Sequence, residues 1–169
     1  MENRRNSAAW LHRSVVEFLV AEAETWAPRE TGGVLLGYFG QPGNVPVILQ
    51  AIGAGPRAVH RRWYYSPDVE FDESQVALYY EKSGRKTIYL GDWHTHPSPV
   101  SHLSKRDKRT LRRIARCRSA RVEFPIMLVL SLGEVWQPTL WQGSLHARSF
   151  WSRGLKVTEL TAHLFPGDT

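Results

Sequence analysis

The chain has very little cysteine, and this absence excludes several kinds of protein. Cys117 is the single cysteine among 169 residues, so neither a disulfide framework nor a thiolate zinc site can form within the chain. The sequence also lacks the Pro-Cys-x-x-Cys segment that zinc nucleobase deaminases require. Because Cys117 lies among arginines late in a predicted helix, with no obvious histidine partner, we interpret it as a half-buried bystander rather than a nucleophile.

Long apolar runs are also missing. No stretch of about eighteen apolar residues occurs, so we expect no transmembrane helix. An apolar patch near the N-terminus is interrupted by Glu17 and has no clear small-residue cleavage site after it, which argues against a signal peptide. With 42% hydrophobic residues and no internal repeat, the sequence fits one domain with a substantial core. The simplest prediction is a cytoplasmic protein without a membrane partner.

Two histidines at the end of an apolar run are the most informative residues present. Alternate side chains of a strand point to the same face, so His94 and His96 project together while Thr95 points away. Asp107, in the first turn of the next predicted helix, can fold back across the connecting loop. Two histidines and one carboxylate leave one position of a tetrahedral zinc open to water, which is the pattern of a catalytic site. Zinc held in this way brings the pKa of its water to ~7.

Each of these motifs also has an ordinary structural interpretation. Ser104-x-x-Asp107 is a helix capping box, and a lone His-x-His on a strand is usually structural or incidental. The case for a metal site rests on both motifs occurring in one short segment, and a cap would also hold the acid in place. Upstream, Glu30 stands before a glycine pair and a predicted buried strand. It can serve as a general base and acid, although its position alone favours a solvated acid.

Taken together, these segments resemble the JAMM/MPN metalloprotease family. The pattern is a glutamate ahead of a glycine-containing strand, then His-x-His, seven residues and Ser-x-x-Asp. The resemblance implies one zinc ion per chain, bound by His94, His96 and Asp107. It further implies that Glu30 is the acid and base and that Ser104 helps to stabilise the oxyanion. The implied reaction is hydrolysis of an amide, commonly the isopeptide bond between the C-terminus of a ubiquitin-like protein and a lysine.

The resemblance also implies a fold and a set of partners. It covers roughly residues 10–152 and predicts an α+β fold, a single JAMM/MPN domain over 1–169 with a C-terminal extension at 153–169. The expected architecture is a curved mixed sheet flanked by helices, similar to cytidine deaminases. The sequence is most similar to small bacterial members, including deconjugating peptidases of antiphage operons. Expected partners are therefore the C-terminus of a ubiquitin-like protein or a conjugated nucleotidyltransferase, together with activating and conjugating enzymes of the same operon.

Hydrophobic periodicity and turn residues predict the order of the elements. The predicted elements are a helix over 11–25, strands over 34–39 and 45–51, a helix over 71–82, a strand over 87–93, a helix over 104–118, and strands over 125–132, 135–142 and 145–151. Gly133 and Gly143 are the predicted turns of the final meander. Alternation places Trp93 away from the histidines and Asp92 on their face, where it can accept a hydrogen bond from an imidazole. The insert over 53–68, with its aromatic residues, is expected to line the substrate path.

The positive charge of the chain is concentrated after the histidines. Nine of the 22 lysines and arginines lie between Lys105 and Arg121. The default interpretation is a solvated helix face, and the functional one is an electropositive surface that attracts an acidic protein partner or nucleic acid. Nucleic acid is the less favoured partner because no known nucleic-acid module accompanies the cations. Two alternative functions remain open: a catalytically silent scaffold of the same fold, and a DNA-associated member that uses this basic helix.

Overall fold

The computed structural model describes residues 7–149 and 152–166. Within these residues the chain forms nine strands, three α-helices and one short 3-10 helix. In chain order these are β1 (Ala8–His12), α1 (Arg13–Trp26), β2 (Gly32–Gly40), β3 (Val45–Ile52), β4 (Val59–Arg61), β5 (Tyr64–Ser66), α2 (Val69–Lys82), β6 (Ile88–His96), α3 (Lys105–Arg116), the 3-10 helix (Arg118–Ala120), β7 (Ile126–Leu132), β8 (Trp136–Ser149) and β9 (Ser152–Phe165).

Seven of the strands form one mixed sheet that closes on itself. Their order is β1-β3-β2-β6-β7-β8-β9, and β1 pairs in parallel with both β3 and β9. Strands β4 and β5 form a separate two-stranded hairpin. The predicted α+β fold with a mixed sheet and helices is therefore confirmed, while the expected likeness to cytidine deaminases stays a prediction. No helix in the described part of the chain has the length and apolar character of a membrane span.

Helix α1 covers one face of this sheet. The helix begins after His12, whose ring accepts a hydrogen bond from the Ser14 N–H at 3.2 Å, a side-chain cap of a free backbone donor. Val15, Leu19 and Ala23 recur every four residues and are buried against the sheet. Complete burial of a valine or leucine side chain stabilises the fold by about 1.5–3 kcal/mol. This spacing therefore fixes both the helix and the face that it presents.

Helices α2 and α3 cover the opposite face of the sheet. The aromatic residues of α2 pack around Val34, Leu36 and Ile52, whereas Leu111 of α3 packs on Met127 and Val129 of β7. Strand β2 contributes to both layers because its side chains alternate. Val34 and Leu36 pack with α2, whereas Leu35 between them lies in the core beneath α1. The candidate metal ligands belong to the α3 layer.

A bulge in β6 decides which face the histidines take. Leu90 and Trp93 are both buried beneath α1 although they are three residues apart, and the pairing with β2 shifts register opposite Gly91. A bulge of this kind adds one residue and reverses the alternation that follows. Gly91 has φ +150°, and a Cβ atom there would lie 1.9 Å from the Ile126 carbonyl oxygen. Only glycine fits this position.

Several predicted boundaries differ from the structure. Leu11 belongs to β1 rather than to the first helix. The predicted turn at Gly143 is wrong, because β8 continues through it and pairs Gly143 with Val157. The lack of a side chain at Gly143 instead lets α3 pack closely on β8, since a Cβ atom at this position would lie 3.5 Å from Leu111 Cδ2. Cys117 is exposed rather than half-buried.

Strand β9 accounts for most of the segment expected to be an extension. Residues 152–165 pair with β8 on one side and with β1 on the other. The predicted hairpin of β2 and β3 is confirmed, and β6 extends three residues beyond its predicted end to reach His96. Trp151, the predicted end of the last strand, lies outside the described residues, as do residues 1–6, 150 and 167–169.

We predict that Gly91→Ala lowers the free energy of unfolding by about 3 kcal/mol, because the new methyl group meets the backbone of β7 at an unfavourable φ angle. Gly133→Ala is the matched control, since no atom lies within 4 Å of the position of its added Cβ. Urea unfolding followed by tryptophan fluorescence measures both variants. Equal midpoints for Gly91→Ala and the wild type would contradict the role given to this bulge.

Candidate metal centre and active site

The end of β6 brings the two imidazoles together. His94 lies opposite Gly32 of β2 and opposite Val129 of β7, so the strand is held on both sides where the histidines project. The Nε2 atoms of His94 and His96 are 3.1 Å apart. Both side chains are largely buried, with exposed fractions of 12% and 14%. The shared face that alternation predicts for these histidines is confirmed.

Asp107 reaches the histidines from the first turn of α3. Its Oδ1 lies 3.5 Å from His94 Nε2, and its Oδ2 lies 4.0 Å from His96 Nε2. The capping box holds the side chain there, because the Ser104 N–H donates to Asp107 Oδ2 at 2.7 Å and the Asp107 N–H donates to Ser104 Oγ at 3.2 Å. The same geometry therefore forms the helix cap and places the Asp107 carboxylate beside the two histidines.

The charge state of these groups suits metal binding. Burial opposes ionisation of Asp107, but hydrogen bonding and charge from His94, with the hydrogen bonds of Ser104, keep its pKa below the usual range. Burial and the neighbouring His94 lower the pKa of His96, which favours the neutral ring that metals bind. The His96 Nδ1–H donates to the Val100 carbonyl at 2.7 Å. That bond leaves the Nε2 lone pair directed at the other two ligands.

The donor set fits a tetrahedral divalent metal. Ligand atoms of His94, His96 and Asp107 all lie within 4.8 Å of one another. Zinc ligands at about 2.0–2.2 Å in tetrahedral geometry are separated from each other by roughly 3.3–3.6 Å, close to the distances observed here. Two imidazoles and one carboxylate leave a fourth position for water or substrate, so these residues would hold a catalytic rather than a closed structural metal.

Glu30 lies on the same cavity as the metal ligands. It precedes β2, and the register that pairs Gly32 with His94 carries Glu30 towards the end of β6. Two hydrogen bonds fix this junction: the Thr31 N–H donates to Thr95 Oγ1 at 2.9 Å, and the Thr95 N–H donates to the Thr31 carbonyl at 2.8 Å. The cavity has a volume of about 220 Å³, and its lining also includes Ser104 and Arg106.

The environment of Glu30 gives it the protonation behaviour of an acid–base group. Burial raises its pKa to about 7, an effect opposed by His94 and reinforced by Asp107. A carboxyl group whose pKa lies near the working pH can accept a proton in one step and return it in another. Glu30 is half-buried on the cavity rather than fully solvated.

The β4–β5 hairpin holds the backbone of Glu30 in place. The Glu30 N–H donates to the Arg61 carbonyl at 2.8 Å, and the His60 Nδ1–H donates to the Glu30 carbonyl at 3.1 Å. The His60 ring stacks on Trp26 of α1 with a centroid separation of 3.4 Å. Tyr65 of β5 packs directly on Gly32, where a Cβ atom would lie 2.7 Å from the tyrosine ring. Sequence reasoning missed these contacts because nothing local pairs residue 30 with residue 60.

Arg106 joins this hairpin to α3. Its Nη2 donates to the Tyr65 carbonyl at 3.1 Å, and its guanidinium lies over the Tyr64 ring at 3.9 Å. The side chain therefore connects the helix that carries Asp107 to the hairpin that holds Glu30. Trp63 at the tip of the hairpin is 70% exposed and lines the cavity, in agreement with the expected position of the aromatic insert.

The neighbours of the histidines on β6 differ in part from expectation. Trp93 is buried on the far side, and its indole N–H donates to the Ile52 carbonyl at 2.8 Å, as alternation predicts. Asp92 is on the histidine side, but its observed hydrogen bond comes from the Tyr89 hydroxyl at 2.6 Å. The predicted bond from an imidazole to Asp92 is therefore not the one that the structure shows.

Comparison with known proteins places this site in a family context. The family model described as prokaryotic homologues of the JAB domain matches residues 12–152. A Sinorhizobium fredii protein named probable metalloprotease y4qB is 40% identical over 154 residues, covering 90% of this chain and 93% of that protein.

Two further similarities are more distant. An Enterobacter hormaechei protein named CD-NTase/cGAS isopeptidase is 25% identical over 117 residues, which cover 69% of this chain and 63% of that protein. A solution structure of a Desulfitobacterium hafniense protein superposes with a TM-score of 0.65 and covers 94% of both chains at 17% identity. At that identity the solved structure supports the fold alone.

We predict that the purified protein binds about one divalent metal ion per chain. His94→Ala should reduce the bound metal to less than about a tenth of that amount, because two ligands cannot replace three. His102→Ala is the control, since this exposed histidine lies in the loop between the ligands without joining them. Inductively coupled plasma mass spectrometry gives the content, and equal metal in both variants would contradict the assignment.

We predict that Glu30 makes the metal-free protein less stable as pH rises. Its pKa of about 7 in the folded state exceeds the unfolded value of about 4.3, so the folded protein binds the extra proton between these values. The stability that this proton provides is present at low pH and is lost as pH rises towards 7. Glu30→Gln should therefore stabilise the protein more at pH 8 than at pH 5, by urea unfolding in chelator. An equal effect at both pH values would contradict the raised pKa.

Proposed function

The chain belongs to the family of prokaryotic homologues of the JAB domain, and from that membership we propose that it is a zinc-dependent peptidase that hydrolyses an amide bond. The 40% identical relative named as a probable metalloprotease supports the general activity. The observation that carries the proposal is the convergence of His94, His96 and Asp107 with Glu30 on one cavity. A silent scaffold of the same fold would have no need to keep all four groups.

Each protein group at the cavity has a proposed role. Bound zinc would act as a Lewis acid that polarises a carbonyl and activates a water molecule near neutral pH. Glu30 takes a proton from the attacking water and returns it to the leaving amine. Its pKa of about 7 makes both transfers possible at the same pH. His94, His96 and Asp107 would hold the metal beside the cavity.

Ser104 is the proposed donor to the oxyanion. Its Oγ accepts the Asp107 N–H, which uses a lone pair of the hydroxyl and leaves its proton available. The side chain lines the cavity and is exposed at the start of α3. A hydroxyl so placed can donate to negative charge that develops on a carbonyl oxygen. The capping hydrogen bond thus orients the Ser104 hydroxyl and leaves its proton available to donate.

The proposed substrate is an isopeptide or peptide bond at the C-terminus of a ubiquitin-like protein or of a conjugated nucleotidyltransferase. The 25% identical relative is itself named CD-NTase/cGAS isopeptidase, which supports this substrate class. An extended C-terminal tail can bind by adding as a strand to a sheet edge. The main sheet is closed, so among the described strands the β4–β5 hairpin provides the open edge beside the cavity.

We predict that Glu30→Gln keeps its zinc and loses cleavage by a factor of about 10³, because the amide can neither accept nor return the proton. The substrates are extended peptides ending in glycine that carry a C-terminal fluorogenic amide, and the readout is kcat together with metal content. Glu134→Gln changes an exposed acid at the turn after β7 and serves as the control. A Glu30→Gln protein that cleaves at the wild-type rate would refute the acid–base assignment.

A further inference from the structure

Helix α3 carries the entire net charge of the protein. Its twelve residues contain seven lysines and arginines and one acid, Asp107. The whole chain has 22 basic and 16 acidic residues, so 22 − 7 = 15 basic and 16 − 1 = 15 acidic residues remain elsewhere. The rest of the molecule is formally neutral. The excess charge of +6 is therefore a property of one helix, and that helix also supplies a candidate metal ligand.

The cations of α3 form a continuous row on its outer face. Lys105, Arg109, Arg112 and Arg116 are spaced at i, i+4, i+7 and i+11, which places them in line opposite the buried Leu111 and Ile114. At 1.5 Å per residue the row is about 16 Å long. Three of its arginines, together with Arg113 and Cys117, line a surface depression of about 390 Å³. This set of cations is called the α3 row below.

Most of the α3 cations have no ion-pair partner among the described residues. In the part of the chain that the structure describes, no carboxylate forms an ion pair with Lys105, Lys108, Arg109, Arg112 or Arg113. The Arg112 Nε is buried and has no hydrogen-bond partner among the described residues. Like charges spaced four residues apart destabilise a helix. Lys105, Arg109 and Arg112 of the row therefore repel one another, and an anionic partner would relieve that repulsion.

We propose that the α3 row binds an acidic segment of the substrate protein outside the cavity in which the bond is cleaved; this inference rests on the peptidase function proposed above. The row begins at Lys105, between Ser104 and Arg106, which both line the cavity, and it runs along the face of α3 opposite Leu111. One end of a segment bound along the row therefore lies near the cavity, and the rest lies outside it. Five of the seven cations are arginines, whose planar guanidinium groups match the geometry of carboxylates. The row would attract such a partner and fix its orientation.

The surroundings of the row favour a protein segment over a nucleic acid. The remaining α3 residues include no aromatic or amide side chain that could stack on bases or read their edges. Glu73 of helix α2 interacts electrostatically with Cys117 at the end of α3. A wide duplex on α3 would meet this carboxylate, whereas a single peptide chain can follow the row and avoid it.

The test measures binding separately from cleavage. The probe is a fluorescein-labelled poly-L-glutamate peptide of about eight residues, which exceeds the length of the row when extended. Its affinity for the zinc-loaded Glu30→Gln protein is measured by fluorescence anisotropy at several salt concentrations. Lys105→Glu with Arg109→Glu reverses two charges of the row. Lys82→Glu with Lys86→Glu makes the same change in net charge at exposed residues near the other end of β6.

The expected result is a Kd that rises at least about tenfold in the α3 double variant and less than about twofold in the control, with affinity falling as salt increases. Equal losses in the two double variants, or no binding of the peptide by the parent protein, would overturn the proposal. Tighter binding of a short DNA duplex than of the peptide at the same salt would overturn it in favour of nucleic acid. Because Glu30→Gln does not cleave, failure of binding refutes the docking surface, whereas failure of wild-type cleavage refutes the proposed function.

Discussion

The pairing of β6 between β2 and β7 is the constraint on which the site depends. The bulge at Gly91 turns the following side chains of β6 so that both imidazoles face α3. Two hydrogen bonds between Thr31 and Thr95 then fix the register of β2 against β6 at the other end of the pairing. Because Glu30 immediately precedes Thr31, this register places Glu30 at the cavity. Strand pairing therefore positions the acid and the histidines together, before any metal contributes.

Helix α3 and the β4–β5 hairpin complete the arrangement from opposite sides. The helix begins with a capping box that also aims Asp107 at the histidines, and the hairpin holds the backbone of Glu30 through His60. Arg106 connects the two. Glu30 and the candidate metal ligands thus share one hydrogen-bonded frame, which is what the proposed catalytic geometry requires.

Much of this arrangement could be predicted from the sequence, because it is encoded locally. The shared face of His94 and His96 follows from strand alternation, and the position of Asp107 follows from a capping motif. What could not be predicted depends on contacts between distant residues. Closure of the sheet by β9, the support of Glu30 by the hairpin, and the continuation of β8 through Gly143 all arise from packing that no short segment specifies. Glycine at a turn and glycine beneath a helix look alike in sequence.

The proposed function depends on one metal ion bound by two imidazoles of β6 and one carboxylate of α3. Anomalous diffraction at the zinc absorption edge, from crystals of the zinc-loaded protein, tests this most directly. We expect one strong peak per chain within about 2.2 Å of the Nε2 atoms of His94 and His96 and of an Asp107 carboxylate oxygen. A peak elsewhere, or none at this position in zinc-saturated crystals, would contradict it.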